Sequence, residues 1–93
     1  MIKTFRCKET ERLCRKRISS RRFHGFADAA YRKLIQLDEA EELRDLQGIP
    51  GNRLEKLSRD REGQYSIRIN KQWRICFRWE EGNAYDVEIT DYH

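Results

Sequence analysis

Three stretches in the last third of the chain alternate apolar and polar residues with a period of two. "QYSIRIN" (residues 64–70) places Tyr65, Ile67 and Ile69 on one side and Ser66, Arg68 and Asn70 on the other. "WRICFRW" (73–79) sets Trp73, Ile75, Phe77 and Trp79 against Arg74, Cys76 and Arg78. "AYDVEIT" (84–90) repeats the pattern with Tyr85, Val87 and Ile89 on the apolar side. Strict alternation is the mark of a strand with one buried face. The connections "NKQ" and "EEGN" are of hairpin length. These constraints predict an antiparallel meander whose apolar face something else must cover.

The first half supplies the cover. "KETERLCRKRI" is rich in helix formers; Glu9, Thr10 and Glu11 suit a helix start, and the cations at 15–17 suit a helix end. In "FADAAYRKLIQLDEAEELRDLQG", Ala27, Ala30, Tyr31, Leu34, Ile35 and Leu37 form an apolar stripe at helical steps. Asp38 suits the cap of a second, shorter helix carrying Ala40, Leu43 and Leu46, which Gly48 and Pro50 would end. "MIKTFR" reads as a short first strand. "RLEKL" reads as one more strand with a bulge, since Leu54 and Leu57 lie three apart. The fold class expected is α+β: a small twisted antiparallel sheet of about four to five strands with two to three helices packed on one face. Residues 1–93 are of a length for one domain.

Charge is laid out unevenly. Residues 1–33 hold eleven Lys/Arg against three acids, and residues 53–78 hold eight against three. Residues 38–47 hold five acids and one Arg, and five acids with no Lys or Arg follow from Glu80 onward. Clustered cations gain from counterion release on a phosphate-bearing partner; a solvated surface produces the same pattern. Cys7, Cys14 and Cys76 form no close pair, and neither His24 nor His93 has zinc-ligand spacing, so free thiols in a reducing compartment and no structural metal are expected. The opening residues contain no apolar stretch of signal-peptide length, and no run is long enough to span a membrane, which makes a cytoplasmic location the default.

The segment "DREGQYSIRINKQWRICFRWEEGNAYDVEITDYH", with "MIKTF" at the start, resembles the HigB branch of the RelE/ParE toxin superfamily. Order and spacing agree over residues 60–93; residues 7–50 match only as helices of suitable length. The resemblance implies a small twisted sheet with two helices on one face. It further implies a toxin of a type II toxin–antitoxin pair that cuts mRNA on the ribosome, with no cofactor and no metal. Its partners would be mRNA, the ribosome and a HigA-like helix-turn-helix antitoxin, with operator DNA reached only through that antitoxin and no membrane involved. The basic helix over residues 9–17 offers one docking surface for the antitoxin.

Metal-free cleavage that uses the RNA's own 2′-OH needs a proton acceptor, a stabiliser of phosphate charge and a proton donor to the leaving oxygen. The resemblance assigns phosphate stabilisation to Arg74, whose guanidinium can grip two oxygens in a fixed fork; the plain alternative is an ion pair with Glu88 or Asp86 across the hairpin. The terminal "DYH" brings Asp91, Tyr92 and His93, with His93 able to exchange protons near neutrality and Tyr92 able to stack on a splayed base or bond the hydroxyl. Alternation alone puts Tyr92 on the Arg74 face and Asp91 and His93 on the other. The chain departs from the family pattern "L-H-P-L-K-G-D" with "L-E-K-L-S-R-D": Glu55 stands at the histidine position and Ser58 near the lysine. Glu55 can serve as a general base or be a surface carboxylate. Lys56, Arg59, Arg61, Arg68 and Arg78 are the expected RNA-backbone contacts, with turn solvation as the alternative for Lys56, Arg59 and Arg61. Two other functions stay open: a gyrase poison of the ParE type, against which the terminal Asp-Tyr-His argues, and a non-catalytic binder of ribosomal RNA.

Overall fold

A computed structural model describes residues 1–91. Three helices precede a four-stranded antiparallel meander: α1 (Lys8–Lys16), α2 (Ala27–Glu39) and α3 (Leu43–Gln47), then β1 (Glu55–Lys56), β2 (Gln64–Arg68), β3 (Arg74–Glu80) and β4 (Asn83–Thr90), in the spatial order β1-β2-β3-β4. The α+β class and the helices-then-meander order are as expected. The N-terminal residues form a ribbon beside β4 through parallel bridges of Ile2 with Ala84 and Phe5 with Val87.

The apolar side of the sheet is the core. Ile67, Ile75, Phe77, Ala84, Val87 and Ile89 meet Leu13 of α1, Ala30, Leu34 and Leu37 of α2, and Leu46 of α3. The α2 stripe therefore packs as its spacing predicts. α1 begins at Lys8 with Cys7 at the cap position and carries Glu9 and Glu11 in its first turn, as their charge suggests; it ends on Arg17 in the left-handed region (φ 56°) with Ile18 N donating to Arg12 O at 3.3 Å. Thr10 is inside this helix and fully buried; its Oγ1 accepts from Ile89 N at 3.0 Å, riveting α1 to β4. Asp38 caps no helix. It lies in the last turn of α2 and accepts from Ile2 N at 2.8 Å, fastening the N-terminal ribbon. The start of α3 is capped instead by Asp45, whose carboxylate accepts from Glu41 N and Glu42 N at 3.0 Å each and is held below the usual carboxylate range by those two bonds.

One expectation about the sheet is corrected. Tyr85 does not face the core: it pairs with Arg78, on the polar side, and the fully buried residue is Ala84. A bulge flips the parity. Cys76 pairs with Glu88 and Arg78 with Tyr85, so Asp86 and Val87 together oppose the single residue Phe77. Asp86 takes φ 54°, and its amide, displaced from the ladder, donates to Thr4 Oγ1 at 2.8 Å. The N-terminal ribbon thus supplies what the bulge removes from β4. The β3–β4 connection is a two-residue turn of Glu81 (φ 49°) and Gly82 (φ 80°), the paired positive values of a type I′ hairpin.

The connection from α1 to α2 is anchored by aromatics. Phe23 is fully buried, Phe26 stacks on Trp73 at 5.2 Å between centroids, and the Arg22 guanidinium sits 5.6 Å from the Trp73 ring while pairing with Glu9 at 2.9 Å. The neighbouring Ser20 side chain and the Arg22 partner hold the Glu9 carboxyl below the ordinary range. A depressed carboxylate stabilises the fold above its unfolded value and stops doing so as pH falls through the folded one. Glu9→Gln is therefore expected to lower stability at neutral pH by no more than about 1 kcal/mol, as for exposed pairs generally, with the difference vanishing in acid; thermal melts of both proteins across pH check this. Thr10→Val leaves the Ile89 amide without an acceptor in the core and should cost about 1–3 kcal/mol in urea unfolding.

Candidate functional site

Arg74 is the first residue of β3, where register sets it between Arg68 and Thr90. It is 8% exposed. A guanidinium that far from water must find acceptors. Nε donates to Ser66 Oγ at 2.7 Å, and Nη2 donates to the Arg53 carbonyl at 2.5 Å and the Ser66 carbonyl at 3.4 Å. Nη1 faces Glu55 Oε1 at 3.9 Å, an ion pair rather than a hydrogen bond, and the Glu55 side chain is 54% exposed. Register explains the meeting: Glu55 pairs with Ser66, two residues along β2, and so on the same face, from the Arg68–Arg74 pair. The cation is gripped on its inner edge by protein and turned on its outer edge toward a wetted carboxylate.

Arg74 and Glu55, placed apart in the sequence, are thus brought together. The pairing across the hairpin considered for Arg74 does not occur. Glu88 takes Arg61 at 2.9 Å and Arg6 at 3.8 Å, and Asp86 takes Arg78 at 3.3 Å. Arg61 crosses the polar face from its short turn (Arg59–Arg61), bonding Gln64 Oε1 at 3.2 Å as well as Glu88. Arg68 donates Nε to the Asn70 carbonyl at 3.0 Å. Arg61, Arg68 and Arg78 are therefore braced by protein acceptors, whereas Lys56 and Arg59 are exposed. Lys56 pairs with Tyr65, one residue along from the Glu55–Ser66 pair, so the alternation carries it to the opposite side of β1 from Glu55. Gly63, in the left-handed region at φ 87°, lets the chain pass Arg78: an added Cβ would lie 2.9 Å from its Nη1. Asp91 accepts from Gln72 Nε2 at 2.8 Å, immediately after the Thr90 that pairs with Arg74. Tyr92 and His93 lie outside the described residues. Among the described residues no group of three His, Cys, Asp or Glu is placed to hold a metal ion, and no helix is long and apolar enough to cross a membrane.

Sequence reasoning missed two holders of Arg74. Ser66 stood in the pattern only as a polar-side residue, and the Arg53 carbonyl leaves no trace in side-chain spacing. The polar face is also drier than a row of arginines suggests: Ser66 and Cys76 are fully buried and Gln64 nearly so. Burial drives the Cys76 thiol up to about 11; Arg61 and Arg74 oppose this and Glu88 adds to it.

The family model for the RelE-like toxin of the type II toxin–antitoxin system HigB matches residues 3–93. This chain belongs to the HigB-like toxin family. Two curated relatives agree. Toxin HigB-1 of Vibrio cholerae is 47% identical over 65 residues, 70% of this chain and 68% of the relative. Endoribonuclease HigB of Proteus vulgaris is 35% identical over an alignment of 97 positions spanning the whole of both chains. An uncharacterised protein of Haemophilus influenzae is 41% identical over 61 residues, 66% of this chain and 60% of its own. Membership in a type II toxin family implies that a HigB-like chain has an antitoxin partner.

A thiol raised so far is protonated and shielded at neutral pH. Cys76 should therefore escape alkylation in the native protein and react on denaturation, as peptide mass mapping after iodoacetamide treatment can establish. Rapid native labelling would mean that the polar face opens.

Proposed function

We propose that this toxin is an endoribonuclease that cuts mRNA on the ribosome by attack of the RNA's own 2′-OH, without a metal, residues 1–93 acting as one toxin domain. The observation that carries the reading is the buried, pre-oriented Arg74 guanidinium facing the exposed Glu55 carboxylate at 3.9 Å. The name of the full-length Proteus relative supports it, since that protein is called an endoribonuclease.

In this reading a scissile phosphate enters on the outer edge of Arg74, where Nη1 meets the charge that builds on the phosphoryl oxygens. Its inner hydrogen bonds prevent the cation from reorienting, so stabilisation costs little rearrangement. Glu55 accepts the 2′ proton as the 2′ oxygen bonds to phosphorus. The bond from phosphorus to the 5′ oxygen breaks, leaving a 2′,3′-cyclic phosphate. His93 donates the proton that the 5′ oxygen needs, and Tyr92 stacks on or bonds the nucleotide, both roles carried by the resemblance of "DYH". Asp91, held by Gln72, anchors the approach of the chain to that end. Lys56 and Arg59 serve as exposed backbone contacts, with Arg61, Arg68 and Arg78 shaping the potential around them. A HigA-like helix-turn-helix antitoxin neutralises the toxin in the cytoplasm and carries any contact with operator DNA.

Programmed ribosomes and primer extension test the proposal. Wild-type protein should cut the message, and Arg74→Ala should slow cleavage by about 100- to 1,000-fold, as loss of one pre-oriented charge stabiliser does. Deleting His93 and replacing Glu55→Gln should each slow it as well, and growth arrest should follow the same ranking. Intact message in cells arrested by the wild-type toxin, or full toxicity of Arg74→Ala, would overturn the reading.

A further inference from the structure

Asn52 has no exposure at all, which is unusual for an amide side chain and demands that its polar atoms be satisfied. They are. Its Nδ2 donates to the Leu46 carbonyl at 3.1 Å, and its Oδ1 accepts from Lys33 Nζ on α2. Its backbone N donates to Ile49 O at 3.2 Å, and its backbone O accepts from Arg68 N at 2.6 Å. The two groups that Asn52 and its neighbour present toward the sheet both bear on Arg74. Arg68 is the register partner of Arg74 in β2, and Arg53, the next residue along, offers the carbonyl that Arg74 Nη2 donates to. Arg53 adopts φ 44°, a left-handed conformation that a non-glycine residue keeps only when its surroundings impose it. With Asn52 locked on one side and Arg74 on the other, that conformation turns the Arg53 carbonyl onto the guanidinium.

We propose that Asn52 is a positioning residue for Arg74, with Lys33 on α2 as its brace. The proposal rests on the phosphate-stabilising role read for Arg74 above. The chain of contacts runs from α2 through Lys33 and Asn52 to the Arg53 carbonyl and the guanidinium, so the helical layer sets the aim of a group on the far side of the sheet. Asparagine suits the position because it both donates, to Leu46 O, and accepts, from Lys33; an aspartate could not make the first bond. Neither Asn52 nor Lys33 touches the substrate in this arrangement.

Asn52→Ala and Lys33→Met, each alone and combined with Arg74→Ala, are assayed for single-turnover cleavage on programmed ribosomes, with thermal melts alongside. A misaimed catalytic group typically loses about 10- to 100-fold, and that loss is expected for Asn52→Ala, with a smaller one for Lys33→Met. In the Arg74→Ala background neither substitution should slow cleavage further, because the group being aimed is gone; a loss of folded protein would multiply in both backgrounds. The 15N–1H signal of Arg74 Nε, slow to exchange while bonded to Ser66, should broaden or exchange faster in Asn52→Ala. Lys33→Met serves the same comparison should Asn52→Ala fail to fold. Wild-type cleavage rates in the single variants, an unchanged Arg74 Nε signal, or equal losses in both backgrounds would overturn the proposal. If wild-type protein cuts no RNA, the catalytic reading fails by itself, and the Nε signal still decides whether Asn52 positions Arg74.

Discussion

A guanidinium removed from water is the constraint around which the polar side of this protein is arranged. Leaving such a cation without acceptors is costly, so its surroundings must answer each donor. Ser66 answers from β2 with hydroxyl and carbonyl, Arg53 answers with a carbonyl turned by a left-handed backbone, and Glu55 balances the charge from β1. None of these is adjacent to Arg74 in the chain. Antiparallel register between β1, β2 and β3 is what assembles them. A one-residue slip in β2 would replace Ser66 with an isoleucine or a tyrosine and leave the cation unpaired, so register and site stand or fall together.

The opposite edge of the sheet obeys a second constraint. β4 must pair with β3 and also with the N-terminal ribbon, and the bulge at Asp86 lets it do both. The bulge keeps Val87 and Ile89 in the core and Glu88 on the polar side while turning Tyr85 outward and Ala84 inward. Thr10 and Asp38, two polar residues of the helical layer, complete the edge by accepting amides of Ile89 and Ile2. These bonds fix where β4 runs, and hence where Thr90 and Asp91 stand beside Arg74.

The cations of the polar face behave differently from what their number implies. Arg61 and Arg78 are balanced by Glu88 and Asp86, so much of the basic character of residues 53–78 is neutralised locally. Of the other cations in this stretch, Arg53, Lys56, Arg59 and Lys71 are exposed, and Arg74 turns one edge toward the exposed Glu55. Three of these four, Arg53, Lys56 and Arg59, lie in or beside β1, at one rim of the sheet.

Much of this was legible in the residues. Period-two alternation in 64–70 and 73–79 determined which side of β2 and β3 is apolar, because a strand has only two faces and water accepts only one kind of residue. The stripe from Ala27 to Leu37 determined the helix that covers it, and the terminal motif marked the family. The failures share one cause. Alternation puts Tyr85 in the core because it knows nothing of a bulge, and the amide that the bulge displaces is received by Thr4, eighty-two positions away. Asp38 suits a helix cap because local capping is the nearest use for such a side chain, whereas the distant Ile2 amide claims it; Thr10 does stand in the first turn of α1, but its hydroxyl serves the distant Ile89 amide. The sequence by itself decided the layers, the apolar face and the chemistry available. Tertiary structure alone decided that Arg74 would be buried, that Glu55 and not Glu88 or Asp86 would face it, and that a backbone carbonyl would hold it, since such partners are chosen by strand register and burial rather than by any spacing along the chain.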